Sequence, residues 1–245
     1  MLVSLVIPAY NEAERLPHTL RLVSDYFARQ DYDWEIVVVD DACTDGTAAT
    51  AEAAAPHVRT IRFERNRGKG AAVRAGMLDA TGDFRVFYDA DGSTPIEMLD
   101  RVWPCFEAGA DIVIGSRALP DSDVALRQVW YRQEMGRMNN RLLRLLGLTK
   151  FTDTQCGFKA FTAAACERVF PLQTIERFSF DAEILYIAKL QQLRIDEVPV
   201  RWINSPDTRV HPIRDSARMV WDVLRIKLRA LSGRYRQAEP ELHTR

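Results

Sequence analysis

Short apolar runs of strand length alternate along the chain with longer stretches of helical periodicity. This alternation predicts βαβ units and a mostly parallel sheet. Because the strands read as near-continuous apolar runs, we expect helices to cover both faces of the sheet. The predicted strands are Leu2–Ile7, Glu35–Val39, Val58–Phe63, Phe84–Tyr88 and Asp111–Gly115, and the predicted helices between them are Glu12–Ala28, Thr47–Ala54, Gly68–Ala80 and Pro95–Glu107.

The pattern changes after about residue 120. It predicts an amphipathic helix over 127–146, a loop containing TDTQCGFKAF, a helix near Phe180–Leu190, a strand over Ile195–Trp202 and a basic helix over 216–235. Segment 127–146 carries a charge of +4 and segment 216–236 a charge of +5, on an otherwise acidic body. We therefore divide the chain into a main domain, 1–212, and a basic amphipathic helix with a polar tail, 213–245.

Composition narrows the class of protein. A chain of 245 residues, 47% hydrophobic, can bury the core of one substantial domain, and a net charge of −1 argues against nucleic acid as a partner. The four cysteines form no C-x-x-C pair, which indicates reduced thiols in the cytoplasm. No apolar run approaches the roughly 20 residues of a membrane span. We expect a protein that is soluble or at most rests on a membrane.

The stretch VFYDADGSTP places two carboxylates, Asp89 and Asp91, directly after a buried strand. Carboxylates at close range repel each other unless a cation lies between them. Mg²⁺ and Mn²⁺ prefer oxygen ligands, and Mg²⁺ usually takes one or two carboxylates plus substrate phosphates. The D-x-D pair therefore indicates a metal–diphosphate site, and two solvated loop acids are the alternative.

Three other strand ends carry polar residues. After the first strand, Tyr10 and Glu12 follow in PAYNE, where a helix-start function is the alternative. After the second strand, Asp40 and Asp41 could hydrogen-bond a sugar hydroxyl or a base N–H, or could be structural. Asp45 is interpreted as a helix cap. Ligands of open α/β sheets bind at the carboxyl ends of strands, so these residues belong to one candidate site.

The third strand end carries RNRGKGAAVRAG. Gly68 and Gly70 allow close backbone approach, while Arg67 and Lys69 supply positive charge near a helix start. The segment is neither a Walker loop nor a dinucleotide fingerprint, because Lys69 is not followed by Ser or Thr and Val73 stands where the third glycine belongs. By itself this segment is only weak evidence for a phosphate-binding site.

The ordered motifs PAYNE, VVVDDACTDGT, RNRGKGAAVRAG, YDADGSTP and IGSR together resemble glycosyltransferase family 2, the inverting nucleotide-sugar transferases with the GT-A fold, over residues 3–210. The later motifs TDTQCGFKAF, FSFDAEIL and EVPVRW resemble the branch of dolichyl-phosphate and polyprenyl-phosphate transferases, most of all its β-glucosyltransferases. The resemblance implies a Rossmann-like GT-A sheet with helices on both faces, a catalytic domain over 1–212 and a C-terminal amphipathic helix.

The resemblance also implies residue roles on the donor side. The donor would be a nucleoside diphosphate sugar, expected to be UDP-glucose, and Mg²⁺ or Mn²⁺ would bind Asp89 and Asp91. Residues expected to contact the nucleotide are Pro8, Tyr10, Glu12, Asp40, Asp41, Lys69, Gly70 and the D-A-D run Asp89, Ala90 and Asp91.

On the acceptor side, the resemblance implies a polyprenyl phosphate held by arginine: Arg117, Arg132 and, as a weaker candidate, Arg209. Asp153 and Asp181 would orient the sugar or the acceptor. If the acceptor were a hydroxyl group, one of them would be the natural base, and a helix-start acid is the alternative for Asp181. Two competing hypotheses are that the acceptor is a soluble phosphorylated or hydroxyl compound, and that the chain is a non-catalytic nucleotide-binding subunit.

The sequence departs from the family in two ways. The Q-x-x-R-W motif of processive synthases is missing, with Val198 in place of glutamine, which argues against a polymerase. Many lipid-phosphate transferases carry C-terminal membrane spans, whereas no spanning helix is predicted here, so the mode of membrane attachment is open. The basic helices could rest on the cytoplasmic face of a membrane or could pack on the core. In 216–235, one predicted face consists of Val220, Leu224, Leu228 and Leu231, and another carries Arg218, Arg225 and Arg229.

Overall fold

The computed structural model describes residues 1–55, 57–124, 141, 143–203 and 212–235. In these residues a seven-stranded sheet has the order β3-β2-β1-β4-β7-β5-β8, and β6 and β9 form a separate parallel pair. All neighbours in the large sheet are parallel except β7, which runs antiparallel to β4 and β5. The strands are β1 (Leu2–Ala9), β2 (Asp33–Asp40), β3 (Val58–Arg62), β4 (Phe84–Tyr88), β5 (Ile112–Ser116), β6 (Asp123–Val124), β7 (Phe158–Thr162), β8 (Ile195–Pro199) and β9 (Arg201–Trp202).

Helices cover both faces of the sheet, as predicted. Successive side chains of β1 and β2 enter two separate hydrophobic clusters because strand residues alternate between faces. One cluster contains Val6 and residues of α3, α5 and α6, and the other contains Ile7 and residues of α1. The helices are α1 (Leu16–Phe27), α2 (Thr47–Ala54), α3 (Lys69–Asp79), α4 (Trp103–Glu107), α5 (Ala163–Val169), α6 (Phe180–Leu190) and α7 (Pro212–Leu231), with 3-10 turns at Ile96–Arg101 and Phe170–Leu172.

Strand β7 corrects the loop predicted for TDTQCGFKAF. The second half of this motif is a central strand, and Phe158, Lys159 and Phe161 in it are fully buried. The charged lysine interrupts the apolar run, so the periodicity of the sequence does not indicate a strand here. The residues that compensate its charge are distant in the chain. Since β7 is antiparallel to its neighbours, the residues just before it lie at the carboxyl ends of β4 and β5.

The C-terminal part of the chain differs in two ways from the prediction. The single strand expected over Ile195–Trp202 is divided into β8 and β9, which pair with different strands. Helix α7 begins and ends four residues earlier than the predicted 216–235. Its Val223 and Ile226 are buried whereas Leu228 is exposed, so the predicted amphipathic arrangement with a single apolar face is not confirmed.

Some predictions fall on residues that the structure does not describe. The helix expected over 127–146 lies mostly in that part, as does the polar tail beyond residue 235. Among the described residues, no helix is both long enough and apolar enough to cross a membrane. The four cysteines are free, as the sequence indicated.

Candidate active site

Asp89 and Asp91 lie on a tight turn at the carboxyl end of β4. The N–H of Gly92 donates to the carbonyl oxygen of Asp89 (3.2 Å), and the N–H of Ser93 donates to Oδ1 of Asp91 (2.9 Å). Gly92 has a φ of +62°, which glycine adopts without strain. The strand therefore ends at Tyr88, and both carboxylates are half-buried at the edge of the sheet.

The carboxylate of Asp89 lies directly against Gly157, the residue before β7. The N–H of Asp89 donates to the carbonyl oxygen of Gly157 (3.1 Å). A Cβ atom at position 157 would stand only 1.9 Å from Oδ2 of Asp89, so only glycine leaves room for this carboxylate. Gly157 is not among the predicted site residues, because nothing local in TDTQCGFKAF indicates that an aspartate packs on it.

Lys69, the first residue of α3, forms an ion pair with Asp89. Its Nζ lies 2.6 Å from Oδ1 of Asp89 and 5.2 Å from the ring centroid of Phe87. Burial by itself would lower the pKa of Lys69, but Asp89, Asp181 and Asp91 outweigh burial and raise it. Lys69 is therefore a cation directed at the acid pair.

A second lysine, Lys159 of β7, is fully buried beside Asp181. Its Nζ lies 2.5 Å from Oδ1 of Asp181 and donates to the carbonyl oxygen of Cys156 (2.6 Å). Burial raises the pKa of Asp181, although Lys159 and Lys69 act in the opposite direction. Lys159 is not among the predicted site residues, and its one signal in the sequence is a charged residue inside an apolar run.

Arg117, just after β5, is held by Asp153. The backbone N–H and Nε of Arg117 donate to Oδ2 of Asp153 (2.9 and 2.7 Å), and Nη2 donates to Oδ1 (2.9 Å). The guanidinium carbon lies 5.3 Å from the ring centroid of Trp202. Burial alone would raise the pKa of Asp153, but the Arg117 guanidinium holds it below its ordinary value. Both oxygens of Asp153 are thus engaged in positioning Arg117.

The two aspartates at the carboxyl end of β2 contact the protein's own backbone. Oδ1 of Asp40 accepts the N–H of Cys43 (2.6 Å). The carboxylate of Asp41 accepts the N–H of Arg67 (2.6 Å) and the N–H of Gly68 (2.8 Å). Burial raises the pKa of Asp41, and these N–H groups oppose the shift. Asp41 therefore orders the loop that carries Lys69.

Residues of the PAYNE segment lie beside the loop after β2. Pro8 is buried at the end of β1, and Tyr10 is exposed at the same edge of the sheet. Glu12 pairs with Arg15 (2.7 Å), and its N–H donates to Oγ1 of Thr47 (2.9 Å). The structure thus brings the segments expected to bind the nucleoside together at the carboxyl ends of adjacent parallel strands.

Asp45 also connects these two segments. Its carboxylate accepts the N–H of Thr47 in the first turn of α2 (3.1 Å) and the N–H of Ala13 (3.0 Å). Asp45 is therefore a structural acid, but it lies one residue before Gly46, the N-cap of α2, and not at the predicted cap position.

Gly70 has a structural reason to be glycine. A Cβ atom at this position would stand 2.6 Å from the carbonyl oxygen of Ile175 and 2.7 Å from Cβ of Phe180. Its close approach is thus to the chain itself, whereas Lys69 beside it points to the acid pair.

Ala90, between the two aspartates, is buried. Arg132 and Arg209 lie outside the described residues.

The acid pair fits a divalent cation that shares its coordination with a substrate. Among the described residues, no group of three or more His, Cys, Asp or Glu side chains is arranged to hold a metal ion. Asp89 and Asp91 offer two carboxylates, and Mg²⁺ commonly completes such a set with phosphate oxygens and water. The donor set therefore suits a metal that arrives with a diphosphate.

Comparison with known proteins gives a consistent result. The family Glycosyl transferase family 2 matches residues 4–170. Dolichyl-phosphate beta-glucosyltransferase of Dictyostelium discoideum is 34% identical over 94% of this chain and 75% of its own length. The enzymes of the same name from Mus musculus and Saccharomyces cerevisiae are 35% and 32% identical, each over 96% of this chain and over 77% and 76% of their own lengths.

Solved structures share the fold at lower identity. Glucosyl-3-phosphoglycerate synthase of Mycobacterium tuberculosis, solved with Mn²⁺, uridine diphosphate and its product, superposes with a TM-score of 0.70 at 21% identity, over 95% of this chain and 80% of that one. Mannosyl-3-phosphoglycerate synthase of Rubrobacter xylanophilus gives 0.70 at 22% identity, over 99% and 78%. These neighbours are GT-A glycosyltransferases, so the predicted GT-A fold is confirmed.

Proposed function

Because the chain belongs to glycosyltransferase family 2, we propose that it transfers glucose from UDP-glucose to dolichyl phosphate or another polyprenyl phosphate, with inversion at the anomeric carbon. The relatives named dolichyl-phosphate beta-glucosyltransferase match over most of this chain and support the sugar and the acceptor. The observation that carries the catalytic proposal is the half-buried acid pair, Asp89 and Asp91, on the turn after β4.

On the donor side, Asp89 and Asp91 would hold Mg²⁺ or Mn²⁺. When bound, the cation supplies Lewis-acid stabilisation of the departing nucleoside diphosphate. Tyr10, which is exposed just after β1, is proposed to contact the nucleoside together with Glu12 and Asp40. Asp41 contributes indirectly, because it fixes the loop from which Lys69 extends.

On the acceptor side, a phosphate is favoured because the remaining acids, Asp153 and Asp181, are already paired with basic residues. A phosphate oxygen is already anionic at neutral pH and needs positioning rather than a strong general base. Asp153 is occupied by Arg117, and Asp181 by Lys159, so neither is available as a simple proton acceptor. Arg117 provides further N–H donors for a phosphate, and Arg132 and Arg209 are proposed to assist it.

We further propose that α7 brings the enzyme to a membrane surface, on the cytoplasmic side where reduced cysteines are the rule. Trp221, Leu228 and Leu231 are 63%, 65% and 84% exposed, and the basic residues Arg225 and Lys227 lie on the same helix. Exposed apolar and basic side chains on one helix favour anionic lipid.

The membrane proposal is tested by sedimentation of the protein with vesicles of phosphatidylcholine containing or lacking phosphatidylserine. We expect binding that depends on the anionic lipid and is lost in Trp221→Glu/Leu228→Glu. Leu22→Glu, at a leucine of α1 that is 52% exposed, is the matched control and should bind like the unaltered protein. Equal binding by all three proteins would contradict a role for α7.

The catalytic proposal is tested by the transfer of radiolabelled glucose from UDP-glucose to a short polyprenyl phosphate in the presence of Mg²⁺ or Mn²⁺. We expect label in the organic phase that requires the metal and is lost in Asp91→Ala. A donor that is hydrolysed without label in that phase would refute the lipid acceptor and would favour a soluble phosphorylated or hydroxyl acceptor. Label that is equal in Asp91→Ala would refute the metal site.

A further inference from the structure

Lys69 occupies the position at which a cation would meet Asp89. Its Nζ lies 2.6 Å from Oδ1 of Asp89, which is direct ion-pair contact. Both oxygens lie against Gly157, Oδ2 more closely: a Cβ of that residue would stand 1.9 Å from Oδ2 and 2.7 Å from Oδ1. Oδ1 is therefore the less covered oxygen and the one that contacts Lys69, so a metal ion bound through it would meet the lysine.

An ammonium group and a divalent cation are poor neighbours on one carboxylate. A charge of +1 and a charge of +2 on one oxygen atom repel each other in bulk water, and more strongly where water is partly excluded. The side chains of Lys69 and Asp89 are only 26% and 29% exposed, so solvent screens this repulsion incompletely. Contact of both cations with Oδ1 of Asp89 is therefore strongly disfavoured.

The backbone beside Lys69 is held by hydrogen bonds, whereas its side chain is partly exposed. Asp41 accepts the N–H of Gly68 (2.8 Å), and the N–H of Ala71 donates to the carbonyl oxygen of Glu176 (3.0 Å). Within the part of the chain that the structure describes, Asp89 is the one carboxylate in ion-pair contact with Lys69. A change of partner would therefore require rotation of the lysine side chain without rearrangement of the loop.

We propose that Lys69 competes with the divalent cation for Asp89: its ammonium group neutralises this carboxylate in the metal-free protein and turns to the diphosphate of the donor once the metal is bound. The proposal rests on the metal site proposed above. It gives Lys69 opposite effects on metal affinity in the two states. Without a nucleotide the lysine weakens metal binding, and with a diphosphate present it strengthens the complex by pairing with the phosphate oxygens.

The test is the binding of Mn²⁺, followed by the electron paramagnetic resonance signal of the free ion, to the full chain and to Lys69→Met. Without nucleotide, Lys69→Met should bind Mn²⁺ about tenfold more tightly, because one repelling charge is removed. With UDP added, the unaltered protein should bind Mn²⁺ more tightly than before, and Lys69→Met should lose most of that gain. An affinity for Mn²⁺ alone that is unchanged or lower in Lys69→Met would overturn the proposal, as would an undiminished UDP effect.

Three control variants keep the outcomes separate. Arg67→Met removes a charge two residues away whose partner is Glu176 (2.7 Å), and it should leave Mn²⁺ affinity within about twofold. Lys69→Arg keeps the charge and should bind Mn²⁺ alone no more tightly than the unaltered protein.

In Asp91→Asn, persistence of full Mn²⁺ binding would refute the metal site itself. Loss of binding there, with no effect of Lys69→Met, would refute only the competition. Lys69→Gln replaces Lys69→Met if the latter does not fold.

Discussion

Two lysines lie near the same aromatic ring and have different environments. Lys69 and Lys159 place their ammonium groups 5.2 and 5.5 Å from the ring centroid of Phe87, and each pairs with one aspartate. Lys159 is fully buried and also donates to a backbone carbonyl, whereas Lys69 is 26% exposed and its partner, Asp89, is 29% exposed.

This difference separates a structural ion pair from one that a ligand can open. A pair without access to solvent must satisfy its own charges, and the loss of one partner leaves an uncompensated charge in the interior. A pair at the edge of the sheet can exchange a partner for a metal ion or a phosphate. The Lys159–Asp181 pair should therefore control stability, and the Lys69–Asp89 pair should control ligand binding.

The largest effect is expected for Lys159→Met. The change leaves Asp181 buried without its cation and should lower the free energy of unfolding by about 3–5 kcal/mol. Chemical denaturation measures the loss, and the double variant Lys159→Met/Asp181→Asn should recover a substantial part of it because both charges are then absent. A single variant as stable as the unaltered protein would contradict the structural role of this pair.

Gly157→Ala should damage the site more than the fold. The new methyl group would displace the carboxylate of Asp89, at a cost of about 1–3 kcal/mol in stability and a loss of roughly 100-fold in sugar transfer. The matched control is Gly76→Ala, whose Cβ would stand 2.3 Å from Cγ1 of Val6 in the core. The control should lose stability while the folded fraction keeps its activity. Equal activity of both variants per folded molecule would show that Gly157 does not position Asp89.

Asp153→Asn is expected to have a smaller effect, and one that depends on pH. The pKa of Asp153 is lowered in the folded protein, so its charged carboxylate stabilises the fold. This contribution is complete above the ordinary carboxyl pKa and is lost as pH falls through the folded-state pKa. The variant should lose about 1–2 kcal/mol at neutral pH, and this deficit should shrink toward about pH 3. Thermal unfolding across that range measures it, and a deficit that grew with acidity would have the wrong sign.

The smallest effect is expected for Arg67→Met. Its pair with Glu176 is exposed, with side chains 44% and 51% accessible, so the loss in stability should be below about 1 kcal/mol. Denaturation and sugar transfer should both remain close to those of the unaltered protein. A large loss of transfer in this variant would mean that the charge of Arg67 is required as well, and would contradict the assignment of this function to Lys69 alone.

Much of the fold was predictable because its signals are local. The strand Phe84–Tyr88 and the helices Thr47–Ala54 and Phe180–Leu190 have the predicted bounds, since apolar periodicity and flanking turn residues act over short distances. The placement of Asp89 and Asp91 at a sheet edge also followed from the sequence, because parallel strands bring their carboxyl ends to one side. The identities of their partners did not follow from these signals.

The sequence by itself determined the alternation of strands and helices, the family, and the acid pair. Only the tertiary structure decided that β7 enters the sheet antiparallel between β4 and β5, which carries Gly157 under Asp89 and Lys159 beside Asp181. It also decided that Asp41 binds the backbone of the loop before α3. The physical reason is that these contacts join residues far apart in the chain, and strand order and close packing select them, whereas propensity and periodicity report only on near neighbours.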